Sequence, residues 1–324
     1  MQGHSIEDRL RHADAEVRRL AVIDLPYSDE VDDIAPLLTS ALGDASAVVR
    51  LEAAKALEGF EEPEVLAALV PLLKDTDEAV REAVAYTLAE LKDVASSAAL
   101  LPYLDDADPW VQASALHAIK ALRAPSAMAP ALASLQSPHA QVRREAVGVI
   151  AYLKQTQTIG ALTQMAVHDE DADVRRAAVG ALGFAHGSGE VSVQPTLSRA
   201  LGDSVWQVRE EAANTMGKLG LLPGSASLIS AMEDEYWQVR LKAARALGRL
   251  KVKEALPALG QALDHPMSNL RKEAVIALGE LRDARAIPPL EHALHDSDPD
   301  VRKLAKLALT QLNMPDPLAS GAAS

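Results

Sequence analysis

The sequence contains no cysteine and few aromatic residues. Among its 324 residues, Phe, Trp and Tyr make up only 3%. The absence of cysteine excludes disulfides, iron–sulfur clusters and zinc sites with thiolate ligands. The scarcity of aromatics argues against a large globular core, because such cores usually rely on aromatic side chains for buried area. The apolar fraction, 48%, consists mainly of Ala, Leu and Val, which favours thin layers of helix packed on helix.

The sequence also lacks long apolar runs and an excess of basic residues. No apolar run reaches about 18 residues, so we expect no membrane span, and residues 1–14 lack an apolar secretory core. We therefore expect a cytoplasmic protein. The net charge is −14, the wrong sign for a surface that binds phosphates, so we expect no nucleic-acid partner. Residues 24–64 hold eleven acids against Arg50 and Lys55; a basic protein partner would complement them, or the charge serves solubility alone.

One motif is repeated along the chain. A Val-Arg pair or a close variant recurs every 31 to 34 residues. The ten anchor positions are Val17, Val49, Val80, Val111, Val142, Val174, Val208, Val239, Leu270 and Val301. Apolar residues four, five, eight and eleven positions after each anchor form one face of a helix, helix B, and a second apolar stretch upstream predicts helix A. Each helix pair buries its apolar faces only by stacking on its neighbours.

The ends of helix B are also predicted. An Asp three residues before the anchor has the position of an N-cap. These residues are Asp14, Asp77, Asp108, Asp171 and Asp298. A glycine near the end of repeats six to nine predicts where the helix stops. These are Gly183, Gly217, Gly248 and Gly279. The Gly-rich joint at 185–190 is either a hinge or a tolerated loop insertion.

The pattern Asp-x-Asp-x-x-Val-Arg-x-x-Ala-x-x-Ala-Leu-Gly-x-Leu resembles the HEAT repeat, and within it the PBS-lyase-like (E-Z type) subclass. The resemblance covers about residues 5–312. It implies an all-α fold, a right-handed α-solenoid or superhelix of about ten helix pairs, with the B helices on the concave face. We expect a single solenoid over 1–312 and a flexible tail over 313–324. The resemblance also implies that the Arg after each anchor pairs with a turn Asp, forming a ladder between repeats.

This Arg and Asp pattern is broken on both sides of one joint. Gln112 stands where the fourth repeat should have Arg, and Ser137 stands where the fifth should have Asp. If the Arg of one repeat pairs with the Asp of the next, both partners are missing at the same junction. Such a break marks either a functional site or the neutral loss of a weakly coupled pair.

The outward positions of helix B carry aromatic side chains in the middle repeats. These residues are Tyr86, Trp110, His117, Tyr152 and Phe184, with Glu145 as a polar neighbour. Exposed aromatics are favoured at protein interfaces, so we predict that they contact a partner. Trp206 and Trp237 occupy one position in adjacent repeats and are predicted to line the rim; alternatively, each Trp covers the turn below it. Acidic residues three positions after the anchor, namely Glu52, Glu145, Glu211 and Glu273, would attract basic side chains of a partner; alternatively, they form an ordinary solvated helix face.

We find no catalytic motif in the sequence. It has neither a Gly-rich phosphate loop nor a nucleophile elbow, and it lacks the His-Glu dipeptides of iron hydroxylases with similar repeats. We therefore expect a non-catalytic scaffold, adaptor or assembly factor that binds protein through the concave face of an acidic solenoid, with no metal and no cofactor. The alternative, implied only by resemblance to bilin lyases, is a protein that handles a tetrapyrrole or similar ligand. Tyr152 and Phe184 would then stack on the pigment, and His117 would act as proton donor or axial ligand.

Overall fold

The computed structural model describes residues 5–185 and 188–313, and for 188–192 and 313 the backbone only. The described residues form α-helices and short 3-10 helices and contain no strand. They divide after Lys154 into two compact units. The predicted tail lies outside the described residues from position 314 onward, as do residues 186–187 of the Gly-rich joint.

The first unit contains ten helices, which alternate between helix A and helix B of five repeats. They are α1 (Ile6–Leu10), α2 (Ala15–Asp24), α3 (Ala35–Ala41), α4 (Ala47–Ala56), α5 (Pro63–Leu69), α6 (Glu78–Ala89), α7 (Ser97–Leu100), α8 (Pro109–Leu122), α9 (Met128–Ser134) and α10 (Ala140–Leu153). The even-numbered helices are the predicted B helices. Several A helices are extended by a 3-10 turn, as at Val70–Lys74 after α5.

The second unit has the same alternation over five further repeats. Its helices are α11 (Ile159–His168), α12 (Ala172–Ala181), α13 (Ser188–Ala200), α14 (Trp206–Leu219), α15 (Ser225–Ser230), α16 (Trp237–Arg249), α17 (Leu256–Gln261), α18 (Ser268–Glu280), α19 (Ile287–Ala293) and α20 (Pro299–Asn313). The prediction of an all-α fold built from two-helix repeats is confirmed for the described residues.

Within each unit, every B helix packs on the B helix of the next repeat, from α2 to α10 and from α12 to α20. Nine of the ten apolar residues that stand eight positions after an anchor are at most 1% exposed. They are Leu25, Leu57, Leu88, Ile119, Ile150, Leu182, Met216, Leu247 and Leu278. Each such side chain stabilises the fold by roughly 1.5–3 kcal/mol when fully buried. Stacking of near-equivalent layers is therefore the main source of stability in each unit.

The predicted N-caps are confirmed. Asp14, Asp77, Asp108 and Asp171 each accept a hydrogen bond from a backbone N–H in the first turn of the following B helix. Asp298 does the same for α20, accepting from the backbone of Asp300 at 2.8 Å. Each cap satisfies a helix N–H that has no partner within the helix, so the turn fixes where the helix begins.

The predicted C-terminal glycines are placed differently. Gly183 lies past the end of α12, but Gly217, Gly248 and Gly279 lie inside the last turns of α14, α16 and α18, so the prediction is wrong for these three. A Cβ atom added to Gly248 would lie 2.7 Å from the Cα of Ala277 on the next B helix. These three glycines therefore allow close approach of neighbouring helices.

Five B helices, α8, α10, α14, α16 and α18, are followed within two residues by a residue in the left-handed backbone conformation. This residue stands twelve positions after the anchor. The positions are Arg123, Lys154, Gly220, Lys251 and Arg282, with φ between 47° and 73°. Four of the five carry a side chain that this conformation disfavours.

Candidate functional site

A ladder of Arg–Asp pairs joins successive repeats. At five junctions the guanidinium donates two hydrogen bonds of 2.6–2.9 Å to the carboxylate of the next repeat. These pairs, which we call the Arg–Asp ladder, are Arg18–Asp44, Arg50–Asp75, Arg175–Asp203, Arg209–Asp234 and Arg271–Asp296. The ladder implied by the resemblance is confirmed at these junctions. Its planar, bidentate geometry specifies the register between repeats.

Each ladder Asp has a second bond that shapes its own turn. Asp75 Oδ1 accepts the backbone N–H of Asp77 at 2.9 Å, and Asp44 Oδ1 accepts that of Ser46 at 2.7 Å. The hydrogen bond from Arg50 holds the pKa of Asp75 below its usual value, against the opposing effect of burial. The carboxylates of Asp44 and Asp75 therefore stabilise both the junction and the turn.

The ladder is modified where Arg81 would meet Asp106. The Nζ atom of Lys74 lies 2.5 Å from the Asp106 carboxylate. The Arg81 guanidinium instead lies over the half-buried Trp110 ring, 5.6 Å from its centroid. A cation at this distance is attracted by the ring face. Trp110 thus covers a modified junction.

The predicted break at Gln112 and Ser137 forms a groove. Both residues line a space of about 600 Å³ together with Pro130 and Ala133. The Gln112 Nε2 atom donates to the Leu104 carbonyl at 2.8 Å. The same Nε2 atom donates to Ser134 Oγ of the next repeat at 3.4 Å, a single neutral hydrogen bond in place of the bidentate ion pair of the five ladder junctions.

His117 and Glu145 meet across helices α8 and α10. His117 Nδ1 lies 3.0 Å from Glu145 Oε2, and Lys120 Nζ lies 3.3 Å from the same atom. Arg144 approaches the other carboxylate oxygen at 3.5 Å. Burial raises the pKa of Glu145, but the His117 hydrogen bond and the Lys120 charge outweigh it and lower the pKa to about 2. Glu145 is therefore ionised and already neutralised by its own neighbours.

Two exposed tyrosines stand on the helices around this cluster. Tyr86 on α6 is 64% exposed and Tyr152 on α10 is 43% exposed. The Arg123 guanidinium lies 5.8 Å from the centroid of the Tyr152 ring. Helices α6, α8 and α10 belong to consecutive repeats, and these residues occupy the predicted outward positions. We call Tyr86, His117, Glu145 and Tyr152 the tyrosine surface.

The aromatic residues predicted in the second unit have other surroundings. Trp206 stacks on Tyr236, with ring centroids 5.4 Å apart and planes inclined by 13°. The Arg209 guanidinium lies over the Tyr236 ring, 5.6 Å from its centroid. Trp206 thus covers the turn of the next repeat. Trp237 and Phe184 are half-buried.

Among the predicted site residues, the structure brings His117 and Glu145 into direct contact. Tyr236, which stacks on Trp206, was missed because it lies three positions before its anchor, outside the positions taken as outward-facing. The sequence signal that could have identified Tyr236 is its position next to Trp237, in the repeat after Trp206.

In the described part of the chain, no group of three His, Asp or Glu side chains is arranged to hold a metal ion. Over the same residues, no helix has the length and apolar character needed to cross a membrane.

Solved structures with a similar fold cover almost the whole chain. An engineered protein, target OR497 of the Northeast Structural Genomics Consortium, is 21% identical with a TM-score of 0.52, over 96% of this chain and 98% of that one. YibA of Escherichia coli is 18% identical with a TM-score of 0.53, over 94% and 99%. Kap95p in complex with RanGDP is 17% identical with a TM-score of 0.65, over 97% of this chain but only 50% of Kap95p. At these identities the likeness concerns the fold alone.

No curated protein matches the sequence. The HEAT-repeat family matches in four segments, residues 5–70, 34–120, 161–229 and 225–310. These segments together include more than half of the chain and contain the stacked helix pairs and the Arg–Asp ladder described above. The chain belongs to the HEAT-repeat family.

Proposed function

We propose that this protein is a non-catalytic cytoplasmic scaffold, adaptor or assembly factor that binds a protein partner through its B helices. The observation that carries the proposal is the exposure of Tyr86 and Tyr152, 64% and 43%, on two B helices that flank α8. Tyrosine supplies a large contact area and loses little conformational entropy on binding. Kap95, whose structure is similar, binds RanGDP in one solved structure and is in complex with Nup1 in another.

The polar residues of the tyrosine surface suit a central contact between the two aromatic anchors. His117, Lys120 and Glu145 already satisfy one another, so covering them by a partner leaves no buried unpaired carboxylate. Burying an unpaired charge would cost several kcal/mol in a binding interface. Trp110, Phe184, Trp206 and Trp237 stay predicted contacts, each less exposed than the tyrosines.

We further propose that the partner has a basic surface. The support is the charge of the first half of the chain, where residues 1–162 contain 25 acidic and 14 basic residues, a difference of −11. Asp29, Asp32 and Asp33 are exposed acidic residues in this half of the chain. Complementary charge would mainly accelerate association and would weaken with added salt.

The test compares capture of partners by the full-length protein and by the double variant Tyr86→Ala/Tyr152→Ala. We expect the double variant to capture about tenfold less of the specific partner than the wild type does, because two interface anchors are removed. Both tyrosines are exposed, so the thermal midpoint should not change. Leu222→Ala is the control, because it removes an exposed apolar side chain, 55% exposed, that lies outside the tyrosine surface and outside the acidic first half of the chain. Equal capture by the double variant and the wild type would contradict the proposal.

Membership of the PBS-lyase-like subclass, and with it the handling of a tetrapyrrole, stays a prediction. Addition of haem or a bilin to the purified protein, followed by absorption spectroscopy, tests it. A shifted pigment band that His117→Ala abolishes would support this alternative, and an unchanged spectrum would count against it.

A further inference from the structure

The junction between α16 and α18 has a ladder Arg without a ladder Asp. Arg240 follows its anchor as in other repeats, but the position of the next Asp is occupied by His265. The neighbouring junctions on both sides are complete, with Arg209 on Asp234 and Arg271 on Asp296. This joint therefore lacks one carboxylate between two complete junctions.

His265 retains one of the two roles of the Asp it replaces. Its Nδ1 atom accepts the backbone N–H of Met267 at 3.1 Å, just as Asp234 Oδ1 accepts that of Tyr236 at 2.9 Å. A neutral imidazole that accepts at Nδ1 carries its proton on Nε2. The substitution thus preserves the turn and exchanges a carboxylate acceptor for an N–H donor.

Arg240 has lost the second role, its ion pair. Its Nε atom donates to the backbone carbonyl of Asp234, whereas Nε of Arg209 donates to a carboxylate. Over the described residues, no carboxylate oxygen forms an ion pair with Arg240 within 4.0 Å. Its two terminal nitrogens retain donor capacity, and an arginine remains charged at any ordinary pH.

A pocket adjoins these two side chains. Arg240 and His265 line a space of about 340 Å³, together with the apolar side chains of Met232 and Leu270. Both polar residues are half-buried. The pocket is therefore next to the junction that lacks its Asp, with unused N–H donors in its lining.

We propose that this pocket binds a carboxylate group, which takes the place of the missing ladder Asp. The terminal nitrogens of Arg240 and Nε2–H of His265 donate to its two oxygens. The carboxylate belongs either to an acidic side chain of a bound polypeptide or to a small organic acid. Glu233 and Asp264 also line the pocket; both are exposed, so solvent screens their repulsion.

The protonation state of His265 agrees with this role. Burial lowers the pKa of His265, and the charges of Arg240 and Arg271 lower it further. A neutral ring donates through Nε2 alone, so the site offers one full positive charge and one neutral donor. This site belongs to the second unit and does not depend on the partner proposed for the tyrosine surface.

The test is a titration of the full-length protein with sodium acetate, with sodium chloride at equal ionic strength as reference. Two-dimensional NMR spectra of the arginine side chains follow the Nε–H signal of Arg240, assigned from its loss in Arg240→Gln. We expect a saturable shift with acetate only. His265→Asp supplies the carboxylate from within the chain, so it should abolish this response and raise the thermal midpoint.

The Nε–H signal of Arg271, whose ladder Asp is present, is the internal control and should not respond. A peptide with one Asp, compared with its Asn counterpart, distinguishes the two sources: binding of both acetate and the Asp peptide indicates an acidic side chain, and binding of acetate alone indicates a small acid. Absence of a saturable shift in the wild type, or an unchanged acetate response in His265→Asp, would overturn the proposal.

Discussion

The Arg50 guanidinium donates two hydrogen bonds of 2.7 Å each to the Asp75 carboxylate, one repeat further along the chain. The Asp75 side chain is only 5% exposed, and that of Arg50 is 14% exposed. Little solvent screens this pair, so it contributes more than an exposed ion pair, for which the median is about 0–1 kcal/mol. Because the pair is bidentate, it restrains the position of one repeat relative to the next.

We expect Asp75→Asn to destabilise the protein at neutral pH by roughly 1–3 kcal/mol, because Arg50 keeps its charge and loses its partner. The pKa of Asp75 is lowered in the folded state. Its contribution is thus present above the unfolded pKa of about 4 and is lost as the pH falls through the folded pKa. Urea unfolding at pH 7 and at lower pH measures this: the difference between wild type and variant should shrink with acid.

Asp75→Ala is the companion to this variant. It removes the ion pair and also the bond from the Asp77 backbone N–H, which an Asn oxygen can still accept. We expect it to be less stable than Asp75→Asn by about 1 kcal/mol. A difference between wild type and Asp75→Asn that stays constant down to acidic pH would contradict the ion-pair explanation.

Gly248 provides a second prediction, on helix packing. Its added Cβ would lie 2.7 Å from Ala277 Cα and 2.9 Å from Ala277 Cβ, so Gly248→Ala forces α16 and α18 apart. We expect a loss of about 1–3 kcal/mol, as for other overpacked cores. Gly160 near the start of α11 is the matched control, since a Cβ there meets nothing within 4 Å.

In an open helical position, replacing Gly by Ala stabilises by about 0.5–1 kcal/mol. Gly160→Ala and Gly248→Ala should therefore change the urea midpoint in opposite directions. If Gly248→Ala were also stabilising, close approach would not be the reason for glycine at that position.

The repeat architecture was predictable because its signals are local. Anchor spacing, cap positions such as Asp77, and the buried face all lie within one repeat, where helix periodicity is decisive. The position of Gly248 was misread because glycine near a helix end usually marks a C-cap. Here the neighbouring helix, rather than the local backbone, requires the missing side chain.

The contacts between repeats were less predictable from the sequence. Pairing of Glu145 with His117 and Lys120 depends on how α8 and α10 face each other, and nothing within either helix specifies it. Likewise, Lys74 pairs with Asp106 although the regular pattern assigns that Asp to Arg81. Side-chain geometry at the junction decides which of two nearby cations reaches the carboxylate. Residue spacing in the sequence does not predict this choice.

The joint at Gln112 and Ser137 allows the ladder to be rebuilt. These residues are 25 positions apart, the same separation as Arg50 and Asp75. We expect Gln112→Arg and Ser137→Asp together to be more stable than the sum of the single changes by about 1 kcal/mol, because each supplies the partner of the other. A double-mutant cycle by urea unfolding measures this coupling energy. A coupling of zero would mean that this joint cannot accept the ladder geometry.

Lys251 and Gly220 occupy equivalent positions, twelve residues after their anchors, and both have left-handed backbone conformations with φ of 54° and 73°. Lys251 is exposed, so its side chain contributes little packing. We expect Lys251→Gly to stabilise by up to about 1 kcal/mol, because glycine adopts positive φ without a steric penalty. Gly220→Ala should destabilise by about 1 kcal/mol, although its added Cβ would meet nothing within 4 Å. A higher thermal midpoint for Lys251→Gly together with a lower one for Gly220→Ala would identify backbone strain as the cause. A lower midpoint for Lys251→Gly would show instead that the lysine side chain stabilises this helix end.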